Sequence, residues 1–121
     1  MDIHWKIKSF ESLSVNELYD ILKLRSTIFV VEQNCVYLDL DGKDKVALHL
    51  LGEFEGKIVA YSRLFKPRIS FDNASIGRVV VDADFRSRKW GHDLMREAIQ
   101  GIKTHFGETK ITIGAQLYLK K

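Results

Sequence analysis

The stretch I-G-R-V-V-V-D-A-D-F-R-S-R-K-W-G-H-D-L-M, Ile76 to Met95, decides the fold. Ile76, Val79, Val80 and Val81 form a β-branched run of the kind that marks a buried strand. Asp82-Ala83-Asp84-Phe85 follows, then the basic run Arg86-Ser87-Arg88-Lys89. From Gly91 to Phe106, apolar Leu94, Met95, Ala98, Ile99 and Ile102 recur at steps of three and four, the stripe of an amphipathic helix that Gly107 ends. The first amides of a helix have no intrahelical partner and lie at the positive end of its dipole, so a basic turn from strand to helix binds phosphate groups. Arg86, Arg88 and Lys89 add full charges, and Gly91 lets a ligand approach the backbone closely. The same residues also suit a solvated basic helix start with Gly91 as a packing glycine, and the glycine patterns of dinucleotide folds and P-loops are not matched.

Outward from this unit, Ile111 to Ala115 reads as a strand that follows the Ser75–Val81 strand through a helix. Two such strands are expected to be parallel neighbours with a right-handed crossover. Upstream, Ala47–Phe54 and Lys57–Phe65 are apolar runs separated by Glu55-Gly56, a hairpin signal. His4 to Ile7 forms a short first strand. Ser14-Val15-Asn16-Glu17 has the form of a capping box, and Leu18, Ile21, Leu22, Arg25 and Phe29 follow at helical spacing, so a helix is predicted over 15–31. Residues 32–45 are polar and acidic, without clear periodicity, and read as a loop with room for a helical turn; 66–73 form a second loop. The order strand, helix, three strands, helix, strand gives an α/β domain: a mixed, mostly antiparallel sheet flanked by helices.

The chain has 121 residues, 45% of them hydrophobic and 29% charged, which suits one globular domain. The net charge of +3 is mild and fits a protein that holds a polyanionic small molecule as well as one that touches nucleic acid. No block of consecutive basic residues points to nucleic acid. One cysteine, Cys35, leaves no internal disulfide and no cysteine-rich zinc site, so no metal is expected. No run approaches the ~18 to 20 apolar residues of a membrane span, and Met1-Asp2-Ile3-His4-Trp5 lacks a signal-peptide pattern. The expectation is a soluble, cytoplasmic protein without membrane contact.

The run V-D-A-D-F-R-S-R-K-W-G-H resembles motif A of the GNAT superfamily, in which a strand ending in valine leads through a short linker to R/Q-x-x-G-x-G/A. Arg86 takes the first position and Gly91 the last. Lys89 replaces the middle glycine, which a helical backbone would accommodate. F-V-V-E-Q-N-C-V-Y-L-D-L-D-G-K-D (Phe29 to Asp44), A-Y-S-R-L from Ala60, I-G-R-V-V-V from Ile76 and I-G-A-Q from Ile113 are similar to blocks of the ElaA-like subfamily.

The resemblance implies an N-acetyltransferase that moves an acetyl group from acetyl-CoA directly to the primary amine of an unknown acceptor. It implies that the amides of Arg86, Ser87, Arg88, Lys89, Trp90, Gly91 and His92 hold the pyrophosphate. The pantetheine arm would enter beside Val79, Val80 and Val81, where an amide, taken as that of Val80, steadies the developing oxyanion; such a donor contributes about 3 kcal/mol. Cys35 as an acyl carrier stands against a small buried cysteine. Candidate bases are Glu32, Asp39, Asp41, Asp44 and His49, with Glu32 and His49 carried forward. Arg63 and Arg78 interrupt strand interiors, where an unpaired charge is costly. They either pin the acidic loop of Glu32, Asp39, Asp41 and Asp44 or recognise a substrate carboxylate. Family members continue with a further helix and two strands, so the chain is read as an incomplete domain over 1–121. Tyr118 is then an aromatic at a strand exit or an early counterpart of the usual acid. The open edge of the last strand suggests a homodimer. The alternative is a non-catalytic acyl-CoA-binding homologue.

Overall fold

The computed structural model describes residues 3–34 and 39–113. Cys35, Ala115 and Tyr118 lie outside the described residues. Five strands form one sheet in the order β1 (His4–Ser9), β2 (Leu48–Phe54), β3 (Lys57–Phe65), β4 (Ala74–Val81), β5 (Ile111–Ile113). The first four are antiparallel neighbours, and β5 runs parallel to β4. The turn between β2 and β3 has positive φ at both Glu55 and Gly56 (52° and 79°), as a type I′ turn requires to match the twist of its strands.

Side chains alternate across a strand, so the sheet has two apolar faces. Helix α1 (Val15–Arg25) and the turns after it cover one face. Ile21, Leu24, Ile28 and Phe29 pack there on Leu51, Ile58, Tyr61 and Val80. Helix α2 (Trp90–Phe106) covers the other, with Leu94, Ala98 and Ile102 against Leu50, Ala60, Leu64, Ile76, Val79 and Val81. Helix α2 lies so close that a Cβ at Gly101 would stand 2.7 Å from Ile7 Cδ1.

The helix predicted over 15–31 is divided. Its α-helical part ends at Arg25, and Ser26–Glu32 continues in wider π turns. The amide of Gln33 donates to the carbonyl of Ile28, five residues back, at 3.2 Å. The wider turn brings the adjacent side chains of Ile28 and Phe29 both into the core, each 1% exposed.

The capping box forms as read. The Glu17 amide donates to Ser14 Oγ (3.0 Å) and the Ser14 amide to Glu17 Oε1 (2.9 Å). Lys8 and Lys6 on β1 also reach the Glu17 carboxylate, at 2.9 and 3.4 Å. Burial of this carboxyl raises its pKa, but the Ser14 amide and the two lysines outweigh that and bring it down to about 2. A depressed carboxyl pKa contributes stability that is present above the unfolded value and lost as pH falls through the folded one. In urea unfolding at graded pH, stability should therefore fall between pH 4.5 and about 2. Glu17→Gln should flatten that fall; an unchanged acid limb counts against the assignment.

Candidate active site

Beyond β4 the chain makes a tight 3-10 turn over Ala83–Arg88 and enters the 17-residue helix α2. Asp82 Oδ1 accepts from the Asp84 amide at 2.9 Å and starts the turn. Phe85 stacks on Trp90 (ring centres 5.6 Å apart), and Phe54 closes on both rings at 5.8 and 5.1 Å. The Arg88 guanidinium lies over Phe54, Phe85 and Trp90 at 5.0 to 5.7 Å, a cation–π arrangement. This aromatic floor anchors the turn while Arg86, Ser87, Arg88, Lys89 and His92 stay exposed. The Trp90 ring is buried in this floor, so Trp90 presents only its backbone to a ligand at the turn. A Cβ at Gly91 would meet nothing within 4 Å, so Gly91 is not a packing glycine.

Lys89 corrects one expectation. Its backbone is left-handed (φ 62°, ψ 23°), not helical. A non-glycine residue there costs about 1–2 kcal/mol. The aromatic packing on either side sustains the conformation, so the turn keeps the shape that a glycine would allow without strain.

Arg86 is held at the end of β4. Its Nε donates to the Val81 carbonyl (3.2 Å), and its Nη2 lies 2.8 Å from Glu32 Oε1. Backbone directions at this end follow from the antiparallel ladder. The Asp82 amide donates to Val59 of β3 at 2.8 Å. Alternation then turns the Val80 amide toward β3 and the Val81 amide and carbonyl away from it. The Val80 amide thus points into the β3 pairing, and the open side carries Val81. Among the described residues β5 pairs with β4 only at Ala74, Ser75 and Ile76.

Strand β4 also carries a bulge. Gly77 faces Arg63 and Val80 faces Tyr61, so Ser62 of β3 opposes both Arg78 and Val79. Arg78 takes φ 51° at this point, and bulges of this kind bend a strand and redirect its side chains.

Three arginines and three aspartates meet beside the bulge. Arg63 Nη1 and Nη2 grip both oxygens of Asp41 at 2.8 Å, and Nη1 also reaches Asp44 at 3.1 Å. Arg78 Nε donates to Asp39 Oδ1 (2.9 Å), and its Nη2 lies 3.4 Å from Asp41. Arg25, with no exposed surface, donates to Asp44 Oδ1 (2.7 Å) and the Asp39 carbonyl (3.2 Å). Its Nε sits 2.9 Å from Asp39 Oδ2, an ion-pair contact not aligned as a hydrogen bond. Hydrogen bonding to Arg63 holds the Asp41 carboxyl well below the usual carboxylate range. Arg63 and Arg78 thus pin the loop of Asp39, Asp41 and Asp44. Glu32 is not among their partners; it pairs with Arg86.

His49 is fully buried in the same layer. Its Nε2 lies 2.8 Å from the Asp44 carbonyl and its Nδ1 2.6 Å from the Tyr61 hydroxyl. The carbonyl can only accept, so Nε2 carries the proton and Tyr61 donates to Nδ1. Burial, with Arg25 and Arg63 nearby, pushes the imidazole pKa below its usual value.

Two open cavities flank this layer. A groove of about 440 Å³ lies between α1, the β2–β3 turn and the end of β4, lined by Asp20, Lys23, Glu32, Lys57, Asp82 and Asp84 among others. A cleft of about 310 Å³ lies over β4, with Arg63, Phe65, Ser75, Gly77 and Arg78 in its lining. Glu32 therefore faces the first cavity, Arg63 and Arg78 the second, and His49 neither. The second cleft also brings together Ser75, Gly77 and Lys43, which sequence reasoning did not single out. Among the described residues no His, Cys, Asp and Glu side chains group as metal ligands, and no helix is long and apolar enough to cross a membrane.

Residues 15–118 match the acetyltransferase (GNAT) family. The chain is 38% identical to the protein ElaA of Escherichia coli over 120 residues, 98% of this chain and 78% of that protein. It is 43% identical to a UPF0039 protein of Schizosaccharomyces pombe over 110 residues, 90% of this chain and 72% of that one. The crystal structure of Escherichia coli ElaA superposes with a TM-score of 0.88 over 97% of this chain and 80% of that one. An acyl-CoA N-acyltransferase from Pseudomonas aeruginosa superposes at 0.89 with 37% identity, over 98% and 82% of the two chains.

Proposed function

This chain belongs to the acetyltransferase (GNAT) family, and on that premise we propose that it transfers an acetyl group from acetyl-CoA directly to a primary amine. The observation that carries the reading is the exposed basic turn of Arg86 to His92 at the entry to α2, open to solvent and free of packing over Gly91. Its amides, with Arg86, Arg88 and Lys89, would hold the diphosphate. The thioester supplies an activated acyl carbon. The amine nitrogen bonds to that carbon, the carbon–sulfur bond breaks, and the thiolate leaves.

The chain's own part is to bind, to orient and to steady charge. The Val81 amide, on the side of β4 away from β3, is the donor for the carbonyl oxygen, while the Val80 amide is taken up by the β3 pairing. Of the candidate bases, Glu32 has an exposed carboxylate in an open groove and can accept the proton of the amine directly or through water. His49 has both nitrogens engaged and no exposed surface, and it serves to tie Tyr61 to the Asp44 turn.

The separation of these side chains favours a second reading, a non-catalytic acyl-CoA-binding protein. Calorimetric titration with acetyl-CoA, followed by a thiol-release assay over a panel of primary amines, decides between them. Binding with amine-dependent thiol release is expected. Binding without release across the panel supports the second reading, and absence of binding removes both.

A further inference from the structure

We infer that the cleft over Gly77 holds the acceptor, and that the acceptor is a primary amine bearing a carboxylate and an apolar, ring-sized group. This rests on the acetyl-transfer reading above and names the substrate class of that site. The cleft opens on the α1 side of β4, the strand whose far end leads into the basic turn. Its volume of about 310 Å³ lies at the lower end of small-molecule sites, about 300–1,000 Å³. Gly77 leaves its floor bare, because a Cβ there would meet nothing within 4 Å.

The lining supplies donors without acceptors. Ser75 Oγ is buried in a residue only 1% exposed, and Arg63 Nε is equally enclosed; neither has a hydrogen-bond partner among the described residues. Leaving such groups unmade costs about 1–3 kcal/mol each. Neither atom is exposed in the cleft, so they make its wall polar without themselves meeting a ligand. Charge points to an anion. Arg63 and Arg78 are matched by Asp39, Asp41 and Asp44. Lys43 is the remaining cation of the lining; its Nζ donates to Ser70 Oγ at 3.1 Å, and no carboxylate pairs with it among the described residues. An anionic acceptor group meets that ammonium, while the half-exposed Phe71 offers an apolar ring to the rest of the molecule; Phe65 lies buried beneath Arg63. The recognising cation is thus Lys43, because the guanidinium groups are already committed to the loop.

The test uses product-like probes that need no turnover. N-acetyl-L-phenylalanine carries the ring, the amide and the carboxylate; N-acetylphenethylamine lacks only the carboxylate. Calorimetry on the wild-type chain should show the first binding about tenfold or more tighter, the worth of a charged hydrogen bond. Lys43→Ala should remove most of that difference. Gly77→Leu, which fills the cleft from a position with room for a side chain, should abolish binding of both probes and leave acetyl-CoA binding and the melting temperature near wild type. Equal affinity for the two probes, no binding of the first, or unchanged binding in Gly77→Leu overturns the proposal. Failure of the acetyl-transfer reading shows separately, as a wild-type chain that does not bind acetyl-CoA.

Discussion

Replacing Arg25 with methionine is expected to destabilise the protein by about 3–5 kcal/mol, the usual cost of removing one partner from a buried charge cluster. Arg25 has no exposed surface, and it is the residue through which α1 reaches both Asp39 and Asp44. Its guanidinium also lies 5.8 Å from the centre of the Tyr61 ring. Without it, Asp39 and Asp44 lose a fully buried cation, and among the described residues the three carboxylates share the two guanidinium groups of Arg63 and Arg78. A small domain has about 5–15 kcal/mol of stability in total, so the loss is a large part of the whole. Urea unfolding should show a much lower midpoint at an unchanged slope. Arg25→Lys should lose less, since it keeps the charge, but not nothing, since an ammonium lacks the planar fork that spans two aspartates. The wall of the cleft is carried by the same loop through Asp41 and Lys43, so ligand binding there should weaken with the loop's anchorage. A loss below about 1 kcal/mol in Arg25→Met means that the cluster is solvated and does not organise this layer.

The two faces of the sheet were legible because their signals are local. Val79, Val80 and Val81 are covered on both sides by helices, and such strands read as continuous β-branched runs. The α2 stripe follows from steps of three and four. Arg25 sat in plain view on the apolar stripe of Leu18, Ile21, Leu22 and Phe29, but its partners lie 14 and 19 residues on in a loop without period. A charge on a buried stripe signals that a partner exists; it does not say which one. Arg63 and Arg78 carried the same signal from strand interiors, and there the acidic loop was the partner expected. His49 showed which face it takes but not its bond to Tyr61. That bond depends on a register in which Leu51, not His49, stands opposite Tyr61. The π turns, the left-handed Lys89 and the bulge at Arg78 had no sequence signature. Each is a tertiary result: Phe29 and Ile28 sharing one core, an aromatic floor under the basic turn, and two residues of β4 opposing one of β3.

Charge reversal at Arg86 tests the turn on which the functional reading stands. Arg86→Glu is expected to weaken acetyl-CoA binding by about 100-fold. A hydrogen bond from a charged donor contributes about 1.5–3 kcal/mol, roughly 10- to 100-fold in affinity, and the reversed charge adds repulsion against the diphosphate. It also sets a second carboxylate beside Glu32, whose Oε1 now lies 2.8 Å from Arg86 Nη2. Arg86→Gln removes the charge alone and should lose about tenfold. The folded state should tolerate both changes. The Arg86–Glu32 pair is more than a third exposed on each side, and pairs of that kind contribute under about 1 kcal/mol. A melting temperature near wild type beside a collapsed affinity therefore separates binding from folding. Raising the salt concentration should weaken wild-type binding, because ions screen an exposed cationic turn, and should weaken Arg86→Gln less. Wild-type affinity in Arg86→Glu places the diphosphate elsewhere on the molecule, and with it falls the reason for reading the entry to α2 as the cosubstrate site.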